Sequence, residues 1–255
     1  MVIFNEYEYV KHIIEKHNPN EKIGIRRLIR LIVRYCYPEC KDISVKQYVS
    51  RVIEIINTFN FDLCKYKEYE QYDFIKNLCR KAQKQEFNVE LRRIDSVDVT
   101  QAEMEIIAKG KTDRERKVLF TLYVLAKIYS YHSGWVNYSV TEIYKLADVY
   151  INRKEKLLLL NNLYEAGLIE LNHIIDKWGV KVNLVEDSPT AVTVKIPEHF
   201  GRQYIAATKL GWKMCEAEGC YKLFKMKSSH QKYCKKCSET IKKEKTVARM
   251  RKYRS

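Results

Sequence analysis

The chain has 255 residues, 46% of them hydrophobic, and 47 Lys or Arg against 32 Asp or Glu, for a formal net charge of +15. That is enough apolar material for one large or two smaller packed units, and the excess of positive charge points to an anionic partner. No apolar run approaches the roughly 18 residues of a membrane span, and the opening MVIFNEYEYVKHIIEKH lacks the apolar stretch of a secretory leader. A cytoplasmic protein without membrane contact is therefore expected, its cysteines being thiols or metal ligands and not disulfides.

Only eight Gly and four Pro occur, which favours helices. Residues 1–95 read as a helical domain. Tyr9, Val10, Ile13 and Ile14 mark one amphipathic face, followed by Pro19. A second helix from Ile23 to Tyr35 carries Leu28, Ile29, Ile32 and Val33 and is expected to end before Pro38. Ser44, with Gln47 three residues on, opens a third helix whose core face is Val49, Val52, Ile53 and Ile56. A fourth runs from about Tyr66 to Lys84, with Phe74, Ile75, Leu78 and Cys79 on one stripe. Arg26, Arg27, Arg30 and Arg34 share a stripe of the second helix, whose plain reading is a solvated face. Cys36, Cys40, Cys64 and Cys79 have no metal-ligand spacing and read as buried thiols, the alternative being a second metal site made of these four.

Residues 96–200 carry repeated helix starts. Thr100 with Glu103, Thr112 with Glu115, Ser139 with Glu142 and Asn152 with Glu155 each have the capping-box spacing. Gly110 is placed to end the first of these helices. The second carries Val118, Leu122, Leu125, Ala126 and Tyr129, and the third is short, with Ile143, Leu146 and Ala147. The fourth carries Leu157, Leu160, Leu163 and Tyr164 and meets Gly167 at its C-terminal end. After Gly167 the period changes to two. Leu168 to Leu171 reads as a strand, and Val180, Val182 and Leu184 are expected to form a hairpin with Val192, Val194 and Ile196 across the turn Glu186-Asp-Ser-Pro189. Helix, short helix, helix, strand and hairpin is the order of a winged helix-turn-helix domain.

The last segment holds the most specific signal. Cys215, Cys220, Cys234 and Cys237 follow the pattern C-x4-C-x13-C-x2-C. Two short cysteine pairs separated by a loop are what a tetrahedral Zn²⁺ takes, since each pair closes a turn and presents two thiolates to one ion. Residues 201–240 are thus expected to form a zinc ribbon of two β-knuckles, with Gly219 in a left-handed turn. Four thiolates leave no open position for water, so the Zn²⁺ is expected to be structural. His230, four residues before Cys234, is a weaker alternative ligand. From Lys222 to Ser255 there are thirteen Lys or Arg and two acids, a net +11. Residues 241–255 form a basic tail; from Ser238 onward a helix is expected, frayed or disordered when free, because Ile241, Ala248 and Met250 are too sparse to pack. The fold class is thus mainly α with a small β component: a helical N-terminal region, a winged-helix-like middle, a four-cysteine zinc ribbon and a basic tail.

Catalytic constellations are lacking. The six histidines are scattered, outside any HExxH frame, and there is no Gly-rich phosphate loop. No catalytic residue is assigned, and the chain is not expected to be an enzyme.

The segment CEAEGCYKLFKMKSSHQKYCKKC followed by VARMRKYRS resembles treble-clef or ribbon-like zinc modules that end in an Arg-rich helix, and is similar to the CGNR-type zinc finger, without its Gly-Asn-Arg triplet. The stretches ERKVLFTLYVLAKIY, Gly134-Trp-Val-Asn137, Ile143 to Asp148 and KYCKKC resemble phage and prophage proteins of Gram-positive bacteria that join a winged helix to a C-terminal zinc ribbon. That resemblance implies phage origin and DNA binding.

The expected partner is nucleic acid, DNA ahead of RNA. The helix from Arg153 would be its reader, offering Arg153, Lys154, Lys156, Asn161 and Asn162. Lys242, Lys243, Lys245, Arg249, Arg251, Lys252 and Arg254 would hold phosphates without reading sequence. Against this stands the acidic turn Glu186-Asp187, unsuited to a wing that touches the backbone. The alternative is an interaction protein that binds a host nucleic-acid-handling or defence complex.

Overall fold

The computed structural model describes residues 3–17, 23–59, 67–129, 133–172, 179–185, 187–195, 199–217 and 219–252. Pro19, Cys64, Tyr66, His132, His173, Glu186, Ile196 and Arg254 lie outside the described residues. Helix dominates and strands are short and few. The chain divides into two compact units, Met1–Asp95 and Ser96–Ser255.

The first unit is built of α1 (Glu6–Lys16), α2 (Ile25–Cys40), α3 (Val45–Asn57) and α4 (Glu68–Gln83). Val10 and Ile13 of α1, Leu28, Ile29 and Ile32 of α2, and Ile75 and Cys79 of α4 are buried in one core. The Ser44 capping box forms as expected, with Gln47 bonding back to the cap. On α3 the buried face is turned slightly from the expected one. Tyr48 and Ile55 join Val49, Val52 and Ile56, and Ile53 is only half-buried.

Helix α2 does not stop before Pro38 but runs through it to Cys40. Proline removes one helical N–H donor, yet the turn is held from both sides. Cys36 and Cys40 are buried, and Gln83 of α4 donates its side-chain amide to the carbonyls of Cys40, at 3.1 Å, and Ile43, at 2.7 Å. Packing overrides the local rule. The arginine stripe is not uniformly solvated either. Arg34 is drawn inward, where it meets the buried carboxylate of Glu6 at 2.9 Å. Arg92 meets the same carboxylate at 3.0 Å with its side chain and 3.1 Å with its backbone N–H. These bonds close the segment before Ser96 onto the start of α1.

The second unit opens with a strand the sequence reading did not foresee. Strand β1 (Ser96–Thr100) pairs antiparallel with β5 (Thr190–Lys195), with Val97 opposite Val194 and Val99 opposite Val192. Thr100 ends β1 and caps α5 (Gln101–Ala108) through the expected box with Glu103. Glu103 is fully buried. It bonds the N–H of Thr100 and of Val185 and the ammonium of Lys127 at 2.8 Å, so each carboxylate oxygen has a partner.

Helix α6 (Asp113–Tyr129) was expected to carry Val118, Leu122, Leu125, Ala126 and Tyr129 as its apolar residues. In fact every residue from Val118 to Ala126 is buried, because α5, β1 and the elements that follow surround it. A helix apolar on all sides is a central helix. Strand β2 (Trp135–Val136), α7 (Val140–Leu146), α8 (Arg153–Glu165), β3 (Glu170–Leu171) and β4 (Val180–Lys181) come next. The three strands form one antiparallel sheet in the order β2-β4-β3. The expected hairpin of Val180–Leu184 with Val192–Ile196 therefore does not form. The first stretch pairs with β2 and β3, and the second leaves for β1. Helix α9 (Phe200–Thr208) then packs on α6, with Phe120 and Tyr204 rings 5.4 Å apart, and leads into β6 (Trp212–Met214), β7 (Leu223–Lys225) and α10 (Lys235–Lys252).

Candidate metal centre and cationic helix

The first cysteine pair sits on a hairpin. Strands β6 and β7 pair with Met214 opposite Leu223, and the N–H of Cys215 donates to the Lys222 carbonyl at 3.0 Å. The turn between them closes by Cys220 N–H to the Ala217 carbonyl, with Gly219 at φ +69, the left-handed conformation that the sequence required of it.

The second pair sits elsewhere than expected. Cys234 immediately precedes α10, whose first turn holds Cys237, and the N–H of Ser238 donates to the Cys234 carbonyl at 2.9 Å. One pair is on a β-knuckle and the other at a helix start, so this is not a ribbon of two knuckles. The N–H of Glu216 donates to the Lys232 carbonyl at 3.1 Å and ties the two halves together.

All four sulfur atoms lie within 4.8 Å of one another, and Cys220 and Cys234 Sγ are 4.0 Å apart. Thiolates about 2.3 Å from a shared tetrahedral ion stand about 3.8 Å from each other, so this cluster can hold a metal ion with little adjustment. It is the only such His, Cys, Asp or Glu group among the described residues. Cys215 and Cys234 are buried, while Cys220 and Cys237 reach solvent in part. The N–H of Cys234 donates to Cys215 Sγ at 3.3 Å. The N–H of Cys237 does most to pull the Cys234 thiol down to about 7, and the Cys220 and Cys234 thiols push Cys237 up to about 12. A cation held between the four sulfurs would favour their ionised form. His230 is exposed and outside the cluster.

The remaining described cysteines have a different character. Cys36, Cys40 and Cys79 are buried in the first unit, and burial pushes Cys36 and Cys79 up to about 12. They are neutral core thiols.

The hairpin is fastened to the rest of its unit through Arg202 of α9. Its guanidinium bonds Asp148 at 3.1 Å and the carbonyl of Tyr221, between the second ligand and β7, at 3.3 Å. Asp148 is itself in the left-handed conformation, φ 54, just past α7. Burial raises its carboxyl, but the Arg202 hydrogen bond and charge outweigh this and hold it below the usual range. The sequence reading missed Arg202, because nothing local marks a residue whose partners are 54 and 19 positions away.

The helix expected here forms as α10, continuous to Lys252. It starts at the cysteine cluster, where a bound ion would fix its first turn, and Lys, Glu, Ala and Arg propagate a nucleated helix well. Lys242, Lys243, Lys245 and Arg249 are exposed along it, and among the described residues no ion pair involves an α10 side chain. Arg251 and Lys252 lie in its last turn.

Helix α8 is capped by Asn152 with Glu155 and ends with Gly167 at φ +67. Its buried side is Leu159, Leu160 and Leu163, so Leu157 and Tyr164, expected inside, face solvent together with Leu158. Four consecutive leucines do not fix the phase of a helix. Arg153, Lys154 and Asn162 are exposed. Lys156 is half-buried with its ammonium 5.7 Å from the Tyr144 ring. Asn161 donates its amide to Glu165 at 2.7 Å. Tyr150, just before the helix, is 77% exposed.

No helix among the described residues is long and apolar enough to cross a membrane. The chain matches no protein-family model, no curated protein and no solved structure.

Proposed function

We propose that this chain is a zinc-binding, nucleic-acid-binding protein, a cytoplasmic DNA-binding regulator of phage type. The carrying observation is α10: a continuous helix whose start holds Cys234 and Cys237 of the four clustered cysteines, and which exposes Lys242, Lys243, Lys245 and Arg249 with no ion-pair partner among the described residues. Zn²⁺ is the ion that best suits four thiolates in a reducing compartment, and a closed four-sulfur site gives it a structural role. The ion organises the helix, and the helix grips phosphates. The phage attribution rests on the sequence resemblance alone.

The order α6, β2, α7, α8, β3, β4, with β4 between β2 and β3, supports a winged helix-turn-helix reading of this part. In that reading α8 enters the major groove, and Arg153 and Lys154 in its first turn are the groups closest to bases. Asn161, held by Glu165, is a weaker base reader than its exposure implies. Asp187 lies in the connection from β4 into β5 and not between β3 and β4, so its charge is no objection to a wing formed by β3 and β4.

A second reading, docking onto a host nucleic-acid-handling or defence complex, is favoured by one observation. Tyr150, Leu157, Leu158 and Tyr164 expose apolar surface on and beside α8, as protein interfaces do. Selection of duplexes from a random DNA library tests both. Enrichment of one sequence, with binding that weakens as salt rises, supports the regulator. Absence of enrichment, together with stoichiometric capture of one host protein that Leu158→Glu abolishes, supports the docking protein.

A further inference from the structure

The arginine stripe of α2 has no part in the reading above. Its members differ in surroundings. Arg34 is committed to Glu6 and to the carbonyl of Glu90. Arg26 and Arg30 are exposed, one turn apart, and both guanidinium groups lie over the same ring, that of Phe74 on α4, at 5.4 and 5.8 Å from its centroid. Among the described residues neither has a carboxylate partner. Glu70, one turn before Phe74, is bound to Lys67 at 3.2 Å.

This arrangement runs against local electrostatics. The face of an aromatic ring attracts each cation, but two guanidiniums on one ring repel each other. The first turn of α2 contains no acid, and Gly24 supplies no side-chain cap. The helix macrodipole puts positive partial charge at that end, where acids are stabilising and Arg is not. An anion lying between the two guanidiniums relieves both conflicts. The planar Arg fork matches phosphate oxygens, and the shared Phe74 ring gathers the two guanidiniums at one place on the surface.

We infer that Arg26 and Arg30, gathered over Phe74, form a second phosphate-contact surface for nucleic acid, on the first unit. The inference rests on the nucleic-acid reading of α10. It makes the chain a two-handed binder, in which attachment by one unit raises the effective concentration of the other.

The test uses the full chain, a labelled DNA duplex and a salt series. Removing two phosphate contacts by R26Q/R30Q is expected to flatten the plot of log affinity against log salt by about 1.8, from roughly 0.9 per contact. K109Q/K111Q removes the same charge from two exposed lysines of the second unit and is expected to leave the slope as in the wild type. Both pairs are exposed, and an unchanged thermal midpoint verifies that each variant folds. R26K/R30K keeps the charges, so it should restore the slope while losing several-fold in affinity, because an ammonium lacks the planar fork. If R26Q/R30Q behaves like wild type or like the lysine control while truncation of α10 still flattens the slope, this inference fails and the α10 reading stands. If the wild-type chain shows no salt-dependent binding at all, the α10 reading fails and takes this inference with it.

Discussion

The backbone of Gly201 rests on the carbonyl of Ala147: a β-carbon at position 201 would stand 1.8 Å from that oxygen. Both neighbours are backbone, and Ala147 and Phe200 are buried, so neither side has a flexible group that can give way. The contact fixes the start of α9 against the end of α7, which in turn sets where β6 and the first cysteine pair begin. Gly201→Ala is therefore expected to destabilise the second unit by about 3 kcal/mol, the upper end for overpacking. Gly167→Ala is the control. It has open space but φ +67, so it should cost only about 1 kcal/mol. Urea unfolding of both variants gives the comparison, and equal losses would show that the close approach has little weight.

The Glu6 carboxylate makes the first unit acid-sensitive. Burial raises its pKa, but the Arg92 N–H and the charges of Arg34 and Arg92 outweigh this, and the net shift is downward. A carboxyl depressed in the folded state contributes stability that is fully present above the unfolded value near 4.5 and is lost as pH falls through the folded value. Glu6→Gln should flatten the stability of this unit against pH below that value. At neutral pH it should cost roughly 2–3 kcal/mol, less than a fully buried pair because both arginines keep some contact with solvent. Denaturant midpoints from acid to neutral pH test this, and a variant with wild-type acid sensitivity would assign that sensitivity to other groups.

One metal ion per chain is expected, held by Cys215, Cys220, Cys234 and Cys237. The Cys234→Ser, Cys237→Ser double variant should lose it. Chelation should raise amide exchange from about residue 212 onward and melt α10, while α1 to α6 keep their protection, because their cores are independent of the ligands. Loss of protection in α6 on chelation would mean that the hairpin is integral to the main core, with Arg202 as the link.

Truncation before residue 241 removes Lys242, Lys243, Lys245, Arg249, Arg251, Lys252 and Arg254. Full engagement of seven cations would flatten the salt slope by roughly six, and a helix can turn only part of its circumference to one backbone, so a fall of about three to five is expected. Sequence preference should survive, whereas Arg153→Ala with Lys154→Ala should reduce preference with a smaller change in slope. An unchanged slope after truncation would transfer weight to the protein-docking reading.

What the sequence disclosed was local. The boxes Ser44–Gln47, Thr100–Glu103, Thr112–Glu115 and Asn152–Glu155 all form, since a cap and its third residue fix each other within one turn. The four cysteines were legible because two short cysteine pairs are a spacing that a tetrahedral ion takes, and the structure brings the four sulfurs together. What escaped was pairing at a distance. The alternation in Ser96-Val-Asp-Val-Thr100 is a strand signal, but its partner is near residue 194, and a nearer run of alternating valines competed for that partner. The passage of α2 through Pro38 depends on Gln83, 43 positions from the Cys40 carbonyl it caps. The second cysteine pair gave its ligands but not its backbone, because C-x2-C fits a knuckle and a helix start equally well.

With Cys234 and Cys237 at the head of α10, a metal ion held there would be a ruler as well as a clasp. An 18-residue helix is about 27 Å long, and cations seven residues apart on it, such as Lys242 and Arg249, recur about every 10 Å along one side. Without a fixed first turn the same residues become a flexible polyelectrolyte with equal charge and no spacing. Metal occupancy would then leave the chain's general attraction to anions intact. It would decide whether the array has a fixed pitch, and so whether it distinguishes a stiff, regularly charged lattice from a loose one.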